Sequence, residues 1–304
     1  MLRQALLYLS TNKSLRHFME NSSASRRLTS RFVAGRTLDD GIQAVQNLAK
    51  QEITATLDFL GENVKSLGEA AQSCENYLAA QYAIQKAHLP ATVSIKLTQF
   101  GLDFSDEACL KNVTGLVERA RAMSSRVEID MESSDYTDRT LNIVTRLQDE
   151  FPGCVRSVIQ AYLYRSEDDI RMLNSRQIPV RLCKGAYREP ASLAFPRKDQ
   201  VDANYVKLMR LLLDQGTYPA IASHDESIVA DALRHVKEQK IASDRFEFQM
   251  LYGIRRDLQK QLVSEGYRLR LYVPYGDAWY PYFMRRLAER PANVVFLARN
   301  LLRN

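Results

Sequence analysis

Hydrophobic and polar positions follow two alternating rhythms along most of the chain. Short runs of β-branched or apolar residues, typical of buried strands, occur eight times, and segments with helical spacing of apolar residues lie between them. Eight strands that alternate with helices predict an α/β fold, a (βα)8 TIM-like barrel. The predicted strands are Ile53 to Leu60, Thr92 to Leu97, Arg126 to Ile129, Val155 to Gln160, Ile178 to Cys183, Ala220 to Ser223, Phe246 to Met250 and Arg268 to Val273.

A helix is predicted directly before the first strand. Leu38, Ile42 and Val45 repeat on one face of a helix over residues 37–50. We therefore divide the chain into an N-terminal helical segment, residues 1–51, and a catalytic barrel, residues 52–304. Helices between the strands are predicted at Cys109 to Met123, Arg139 to Glu150, Glu167 to Asn174, Asp202 to Asp214, Glu226 to Glu238 and Asp257 to Glu265.

The last predicted strand leads into a turn and a further helix. Pro274 and Gly276 are predicted to end the strand, and Pro281 fits the first turn of the helix. Two adjacent guanidiniums on this helix could clamp a small carboxylate, and a solvated basic face paired with an internal acid is the alternative that spacing leaves open. Four side chains share that face: Tyr282, Arg285, Arg286 and Glu289.

Nearly every predicted strand ends in, or lies beside, a side chain able to do chemistry. A barrel gathers the C-terminal ends of its strands at one rim, so residues far apart in sequence line a single pocket. These side chains are Glu62, Lys96, Asp130, Gln160, Lys184, His224, Gln249 and Tyr272.

Composition narrows the classes of protein to consider. With 45% hydrophobic and 26% charged residues over 304 positions, the chain can bury a large core and is not disordered as a whole. Its four cysteines form no CxxC and its four histidines show no zinc spacing, which indicates a reducing compartment and no structural metal.

The net charge of +6 resides in residues 1–36, where seven basic residues accompany one acid. This segregation argues against a nucleic-acid binder, and the longest apolar run there, Ala5 to Leu9, is too short to cross a bilayer. We interpret the segment as packing helices that could contact anionic lipid, and a transit peptide is the alternative. We expect a cytoplasmic protein that could lie peripherally on the inner face of the membrane.

The segment Arg181 to Glu189, RLCKGAYRE, joins a strand end to two small residues, Gly185 and Ala186. Small residues let the backbone approach a ligand closely, and the nearby cations could face phosphates or a ring that gains negative charge. An ordinary strand end with a glycine turn is the alternative. Because the chain contains no GxGxxG or GxxxxGK[ST] sequence, a nucleotide cofactor is expected on the barrel rim.

Several strand-end residues keep more than one interpretation. Lys96 could form a Schiff base or provide a charge for an acidic ligand. Asp130 could orient that lysine, act as acid or base, or be a buried carboxylate satisfied by a cation. His224 is by default a hydrogen-bonding rim residue, while Gln160 and Gln249 offer donors and acceptors for the edge of a heterocycle.

Eight blocks of sequence, in order, resemble the monofunctional bacterial proline dehydrogenases. That family consists of FAD-dependent (βα)8 barrels that oxidise L-proline to Δ1-pyrroline-5-carboxylate, and the resemblance covers most of residues 52–292. The blocks are LDFLGE (57–62), SIKLTQFGL (94–102), IDME (129–132), IQAYL (159–163), RLCKGAY (181–187), ASHD (222–225), FQMLYG (248–253) and YPYFMRRLAERP (280–291).

The resemblance implies roles for individual residues. Arg181 would lie close to the flavin, where its charge opposes the negative charge of the reduced ring, and Glu62 would pair with Arg285 as a gate. The implied catalytic residues are Asp130 and Arg181, and the implied substrate-binding residues are Lys96, Arg285, Arg286, Tyr272, Tyr282, Leu251 and Glu62.

FAD bound on the barrel would also explain the missing Rossmann motif. The resemblance implies that the proline C5 hydride faces flavin N5 and that electrons then pass to membrane quinone. The positions that match the family's FAD site are Met131, Gln160, Arg181, Lys184, Gly185, Ala186, Ser223, His224 and Gln249.

The resemblance finally implies a place in proline degradation to glutamate, as its first step. The aldehyde dehydrogenase half and DNA-binding segment of the bifunctional relatives are not among the 304 residues. We therefore expect a separate pyrroline-5-carboxylate/glutamate-semialdehyde dehydrogenase downstream and no binding of nucleic acid. Three rival functions remain: a Schiff-base aldolase using Lys96 or Lys184, a non-catalytic basic protein docking through residues 1–36, and a flavin enzyme acting on another cyclic amino acid.

Overall fold

The computed structural model describes residues 31–61 and 64–289, with the backbone alone for residues 285–289. Within these ranges eight parallel strands close into a barrel in sequential order, which confirms the predicted fold. The strands are β1 (Thr54–Phe59), β2 (Ala91–Lys96), β3 (Val127–Asp130), β4 (Val155–Gln160), β5 (Val180–Cys183), β6 (Ala220–Ala222), β7 (Glu247–Leu251) and β8 (Leu269–Tyr275).

Helices connect successive strands around the outside of the barrel. The helix predicted over residues 37–50 is confirmed, and a capping box between Thr37 and Asp40 begins it. The helices of the described residues are α1 (Leu38–Ala49), α2 (Leu67–Lys86), α3 (Asp106–Ala122), α4 (Thr137–Glu150), α5 (Ser166–Ser175), α6 (Lys198–Gln215), α7 (Glu226–Glu238), α8 (Arg256–Ser264) and α9 (Trp279–Glu289), with 3-10 turns at Leu97–Phe100 and Ser134–Tyr136.

The prediction that Pro274 ends the last strand is wrong. β8 continues to Tyr275, and Pro274 pairs in register with Asp58 of β1. The pairing with β7 stops at Leu251 opposite Tyr272, so Pro274 lies where β8 has one neighbour only. A missing N–H is tolerated at such an edge position.

The barrel interior is polar and charged, whereas the space between strands and helices is apolar. Polar side chains alternate with buried apolar residues along these strands and hydrogen-bond one another across the barrel. They are Thr56, Glu128, Arg156, Glu247 and Arg270. Many barrels fill this space with branched aliphatic side chains instead. The apolar residues between strands and helices therefore pack the helices against the barrel, whereas the residues inside the barrel provide its charged groups.

Residues 31–36 hold the last helix at the C-terminal rim. The amide of Ala34 donates to the carbonyl of Pro274 at 2.9 Å, and that of Gly276 donates to Gly35 at 3.0 Å. Phe32 packs against Phe283 of α9 with ring centroids 6.1 Å apart. The helix α1, which precedes residue 51, contacts β1 and β8 of the barrel directly. The division of the chain into two parts at residue 51 stays a proposal. Among the described residues, no helix combines the length and apolar character that a bilayer crossing requires.

Candidate active site

Arg181 lies at the centre of the site, inside the barrel on β5. One terminal nitrogen donates to Glu128 Oε2 at 2.9 Å and to Gln249 Oε1 at 3.3 Å. The other donates to Ser94 Oγ at 3.0 Å and to Asp130. The guanidinium plane is therefore fixed on four sides, with only 3% of the residue exposed. Its buried Nε has no acceptor within residues 31–61 and 64–289.

Asp130, at the end of β3, accepts hydrogen bonds on both oxygens. Ser94 Oγ donates to Oδ1 at 2.9 Å together with Arg181, and the Tyr272 hydroxyl donates to Oδ2 at 2.8 Å. The Arg181 guanidinium also lies 5.3 Å from the centroid of the Tyr272 ring. Burial, and then the charge of Asp58, raises the pKa of Tyr272 well above its usual value. The phenol therefore stays neutral and donates at physiological pH.

Lys96 ends β2 directly beside this group, since it pairs in register with Asp130. Its ammonium lies 3.3 Å from Oδ1 of Asp58, a carboxylate that is 1% exposed. Tyr77 of α2 also donates to that oxygen at 3.3 Å. The other oxygen, Oδ2, is buried without a hydrogen-bond partner in the described part of the chain. Lys96 and Asp58 thus form a charged pair at the barrel mouth.

Below Arg181, two glutamates and two arginines form a buried ionic layer. Arg156 donates to Glu128 at 3.1 Å and to Glu247 at 2.5 Å, and Arg270 donates to Glu247 at 2.9 Å. Burial alone would raise the pKa of each glutamate. The charges of Arg156, Arg181 and Arg270 outweigh it at Glu128, and those of Arg156 and Arg270 at Glu247, so both pKa values lie below the usual range.

Gln160 and the loop after β5 form one predicted sector of the cofactor site. The Gln160 side chain accepts from the amide of Ala186 at 3.2 Å and donates to the Glu132 carbonyl at 2.8 Å. Gly185 has φ +120°, and a Cβ there would lie 2.3 Å from the ring of Tyr162. Gly185 and Ala186 nevertheless remain exposed at the rim, where a ligand can approach them.

Lys184 is held by two carboxylates on the helix side of the rim. Its ammonium lies 2.5 Å from Asp202 and 2.9 Å from Asp225, which caps α7. Partial burial acts to raise the pKa of Asp225. The hydrogen bonds from Lys184 and Ser227 have the larger, opposite effect, and the resulting pKa is about 2. The structure shows this lysine in protein ion pairs, and its predicted contact with the cofactor stays a prediction.

The remaining predicted cofactor residues line the ends of β3, β6 and β7. His224 Nε2 accepts from the amide of Leu251 at 2.8 Å, which fixes the tautomer with the proton on Nδ1. Ser223 Oγ accepts from the amide of Asp225 at 3.1 Å, and Met131 is buried next to Asp130. Ser223 and His224 directly follow β6, and Gln249 lies on the neighbouring strand β7.

The predicted carboxylate clamp falls partly outside the described residues. Tyr282 of α9 is buried at 6% exposure, in an apolar cluster that Leu251 also contacts. The backbone of Arg285 and Arg286 continues α9, while their side chains lie outside the description. Glu62 also lies outside the described residues. The clamp and its gate therefore stay predictions.

A second acid, Glu189, ties the loop of residues 184–197 to the segment that follows β3. Glu189 accepts from the amide of Ser134 at 2.8 Å and from its hydroxyl at 2.5 Å. Tyr162 also donates to Glu189, at 3.4 Å. This contact closes the loop that carries Gly185 and Ala186 over the ends of β4 and β5.

The residues present fit a flavin nucleotide of the kind that the resemblance implies. Arg181 Nε is a buried donor without an acceptor in the described chain, at the level where the strands end. Gly185 and Ala186 are exposed, and residues this small let the backbone approach a phosphate or a ring closely. A further cationic group, Lys96, lies beside the same mouth, where an anionic substrate could bind.

Sequence reasoning missed the acids that hold these cations. Asp58 contacts Lys96, Glu128 contacts Arg181, and Glu247 contacts Arg156 and Arg270 of the layer below. Glu189 closes the rim loop. The alternation in VEID and FEFQ, with a polar residue at every second position of a buried strand, was the available signal. It marks side chains that point into the barrel.

Comparisons with known proteins agree with this geometry. A model of the proline dehydrogenase family matches residues 41–299. Proline dehydrogenase 1 of Bacillus subtilis (strain 168) is 43% identical over 303 residues, covering 100% of each chain. The proline dehydrogenase of Deinococcus radiodurans is 41% identical over 280 residues, covering 91% of this chain and 90% of the other.

A solved structure extends the comparison to the fold. Proline utilization A from Bdellovibrio bacteriovorus, crystallised after inactivation by N-propargylglycine, superposes with a TM-score of 0.82 at 26% identity. The match covers 95% of this chain and only 36% of that longer one. Because a family model matches most of the chain and full-length relatives exceed 40% identity, the chain belongs to the proline dehydrogenase family.

Proposed function

We propose that this chain oxidises L-proline to Δ1-pyrroline-5-carboxylate with FAD as the electron acceptor. The observation that carries the proposal is the convergence of Lys96 with the Arg181, Asp130 and Tyr272 cluster at one barrel mouth, in a chain of this family. Proline loses a hydride from C5 and a proton from nitrogen, which leaves a C=N bond. When bound, FAD would supply the redox chemistry by taking that hydride at N5.

The chain itself would bind and orient the amino acid. Lys96, Arg285 and Arg286 offer three cations for the carboxylate, and charge-assisted hydrogen bonds contribute about 1.5–3 kcal/mol each. Tyr272, Tyr282 and Leu251 would shape the pocket for the ring. Glu62 paired with Arg285 would cover the bound substrate.

Asp130 would act as an orienting residue rather than as a base. Both of its oxygens already accept hydrogen bonds from Ser94, Arg181 and Tyr272, and three donors favour the ionised carboxylate in a fixed position. The substrate nitrogen would then lose its proton to solvent. Arg181, held by the same group, would oppose the negative charge that develops on the flavin.

The cofactor would lie on the rim between β3 and β7. We propose that backbone and side-chain groups of the loop after β5 hold it on one side and those after β6 on the other. The residues proposed to contact FAD are Met131, Gln160, Arg181, Lys184, Gly185, Ala186, Ser223, His224 and Gln249.

The visible spectrum before and after anaerobic addition of L-proline tests the function. We expect a flavin band near roughly 450 nm that bleaches with L-proline and not with D-proline. A yellow protein that L-proline leaves unbleached would move the substrate to another cyclic amino acid. A protein still colourless after added FAD, and trapped by borohydride with a carbonyl substrate, would favour a lysine-based aldolase.

We further propose that the electrons pass to membrane quinone and that a second dehydrogenase oxidises the glutamate semialdehyde formed by ring opening. The charge of residues 1–36 supports a contact with anionic lipid, although residues 1–30 lie outside the described residues. Flotation with anionic and neutral vesicles tests this contact. Equal recovery with both kinds of vesicle would contradict it.

A further inference from the structure

Of the two glutamates in the buried ionic layer, Glu128 is the one that contacts Arg181 among the described residues. Its Oε2 accepts from Arg181 at 2.9 Å, and its Oε1 accepts from Arg156 at 3.1 Å. Arg270 lies 3.7 Å from Oε1, and no part of the Glu128 residue is exposed. Because Glu128 is held by the arginines below it, it fixes the position of the Arg181 guanidinium above it.

Two hydroxyl groups fix Glu128 further. Thr56 Oγ1 and Thr92 Oγ1 each lie 3.3 Å from Oε1 and 2.7 Å from each other, so one hydroxyl donates to the other, which donates to Glu128. A buried carboxylate with this many donors cannot rotate without leaving several of them unsatisfied. The carboxylate oxygen Oε2, which contacts Arg181, is consequently held in one position.

Glu247 provides an internal comparison. It is equally buried, at 1% exposure, and accepts from Arg156, Arg270 and Gln249. Within the described residues it does not contact Arg181. The barrel thus contains two buried acids in one network, of which one touches the guanidinium of the site and the other does not.

We infer that Glu128 is a positioning residue for Arg181, fixing the plane of its guanidinium and offsetting part of its charge. The inference rests on the proposed function, in which Arg181 faces FAD. By holding Arg181, Glu128 sets how strongly the site stabilises the negative charge of the reduced flavin. A neutral residue in its place leaves more of the Arg181 charge available to the flavin, so the reduced form becomes more stable.

The midpoint potential of the bound flavin tests this in the holoenzyme. Glu128→Gln keeps the size and one acceptor, and we expect the ratio of reduced to oxidised flavin at a fixed potential to rise at least tenfold, a shift of about 30 mV for a two-electron couple. Glu247→Gln removes the other buried negative charge of the same layer, which has no contact with Arg181 among the described residues, and its shift is expected to be much smaller. Equal shifts in both variants would show that the loss of either buried negative charge changes the flavin potential to the same extent, and would overturn the inference.

A double variant asks whether the effect passes through Arg181. Arg181→Lys keeps the positive charge but cannot reach Glu128 and Asp130 together, so Glu128→Gln should add little shift in that background. A full shift there would overturn the inference. If Glu128→Gln does not fold, Glu128→Asp keeps the buried charge and withdraws it by one methylene, and an unchanged potential in that variant would be the contradicting result.

These outcomes are separate from those of the proposed function. Bleaching of the wild-type flavin by L-proline tests the reaction without any variant. A wild-type protein that bleaches, with an unchanged potential in Glu128→Gln, would retain the function and overturn only the role of Glu128. A wild-type protein that binds no FAD would overturn both.

Discussion

The hydroxyl of Tyr272 on β8 donates a 2.8 Å hydrogen bond to Asp130 on β3. The same carboxylate accepts from Arg181 on β5, so one acid connects three strands around the barrel mouth. Asp58 on β1 adds its charge to the burial that raises the pKa of Tyr272. The site is therefore held by cross-barrel hydrogen bonds rather than by neighbouring strands alone.

Tyr272→Phe should lower kcat/KM for proline about tenfold while FAD stays bound. Loss of the hydroxyl leaves Asp130 Oδ2 without its donor, and an unsatisfied buried group costs about 1–3 kcal/mol. Steady-state kinetics and the visible spectrum measure the two effects. Tyr205→Phe is the matched control, since in the described part of the chain its buried hydroxyl bonds the carbonyls of Leu182 and Ala222 alone. Unchanged kinetics in Tyr272→Phe would show that the bond is structural only.

Arg285→Met together with Arg286→Met should raise the proline requirement at least tenfold, about 1.4 kcal/mol, with FAD retained. The reason is the loss of two cations that the sequence predicts for the substrate carboxylate. Arg146→Met is the control, because that arginine pairs with Glu107 on the outer helices. An unchanged KM for proline in the double variant would contradict the clamp.

The eight strands were predictable because each is a short apolar run between helices, and a buried parallel strand reads that way in sequence. The helix α2 was not identified, since Ala70, Ala80 and Gln81 on its buried face give little contrast with the exposed positions. Strand limits moved by a residue or two because cap and pairing geometry decide them.

The pairing of buried charges could not be predicted from the sequence. Glu128 and Arg181 are 53 positions apart, and only closure of the barrel brings them to 2.9 Å. The same holds for Ser134 and Glu189, which are 55 positions apart. The spacing of cysteines or glycines along the chain indicates local features such as turns. An ion pair inside a barrel depends instead on the register of strands that are distant in the chain.

Asp225→Asn should flatten the acid limb of the stability curve. Asp225 has a folded pKa of about 2, below its usual 3.8, so its stabilising contribution is complete above about pH 4 and lost as the pH falls toward 2. The variant should be less stable near neutral pH and lose less stability over that interval. Urea unfolding of the holoenzyme at several pH values measures this.

Asp199→Asn is the control for this titration, because that aspartate forms an exposed pair with Arg197. We expect its stability to follow the wild-type curve. If Asp225→Asn lost as much stability as the wild type between about pH 4 and pH 2, the hydrogen bonds from Lys184 and Ser227 would not be the cause of the titration.

Glu189→Ala should speed the release of FAD. Glu189 accepts from the amide and hydroxyl of Ser134, and this contact fastens the loop that carries Gly185. Charge-assisted hydrogen bonds contribute about 1.5–3 kcal/mol, so we expect at least a tenfold higher rate of dissociation. Recovery of free flavin fluorescence after dilution measures that rate, with proline oxidation before dilution showing that the protein is folded.

A double-variant cycle identifies the contact responsible. Ser134→Ala removes one of the donors to Glu189, so Glu189→Ala should have a smaller effect in that background than in the wild type. Additive effects would mean that Glu189 acts elsewhere, for example through Tyr162, whose ring packs against Gly185. Tyr162→Phe then separates the two, since it keeps the ring against Gly185 and removes only the hydroxyl. An unchanged release rate in Glu189→Ala itself would show that other contacts hold the loop.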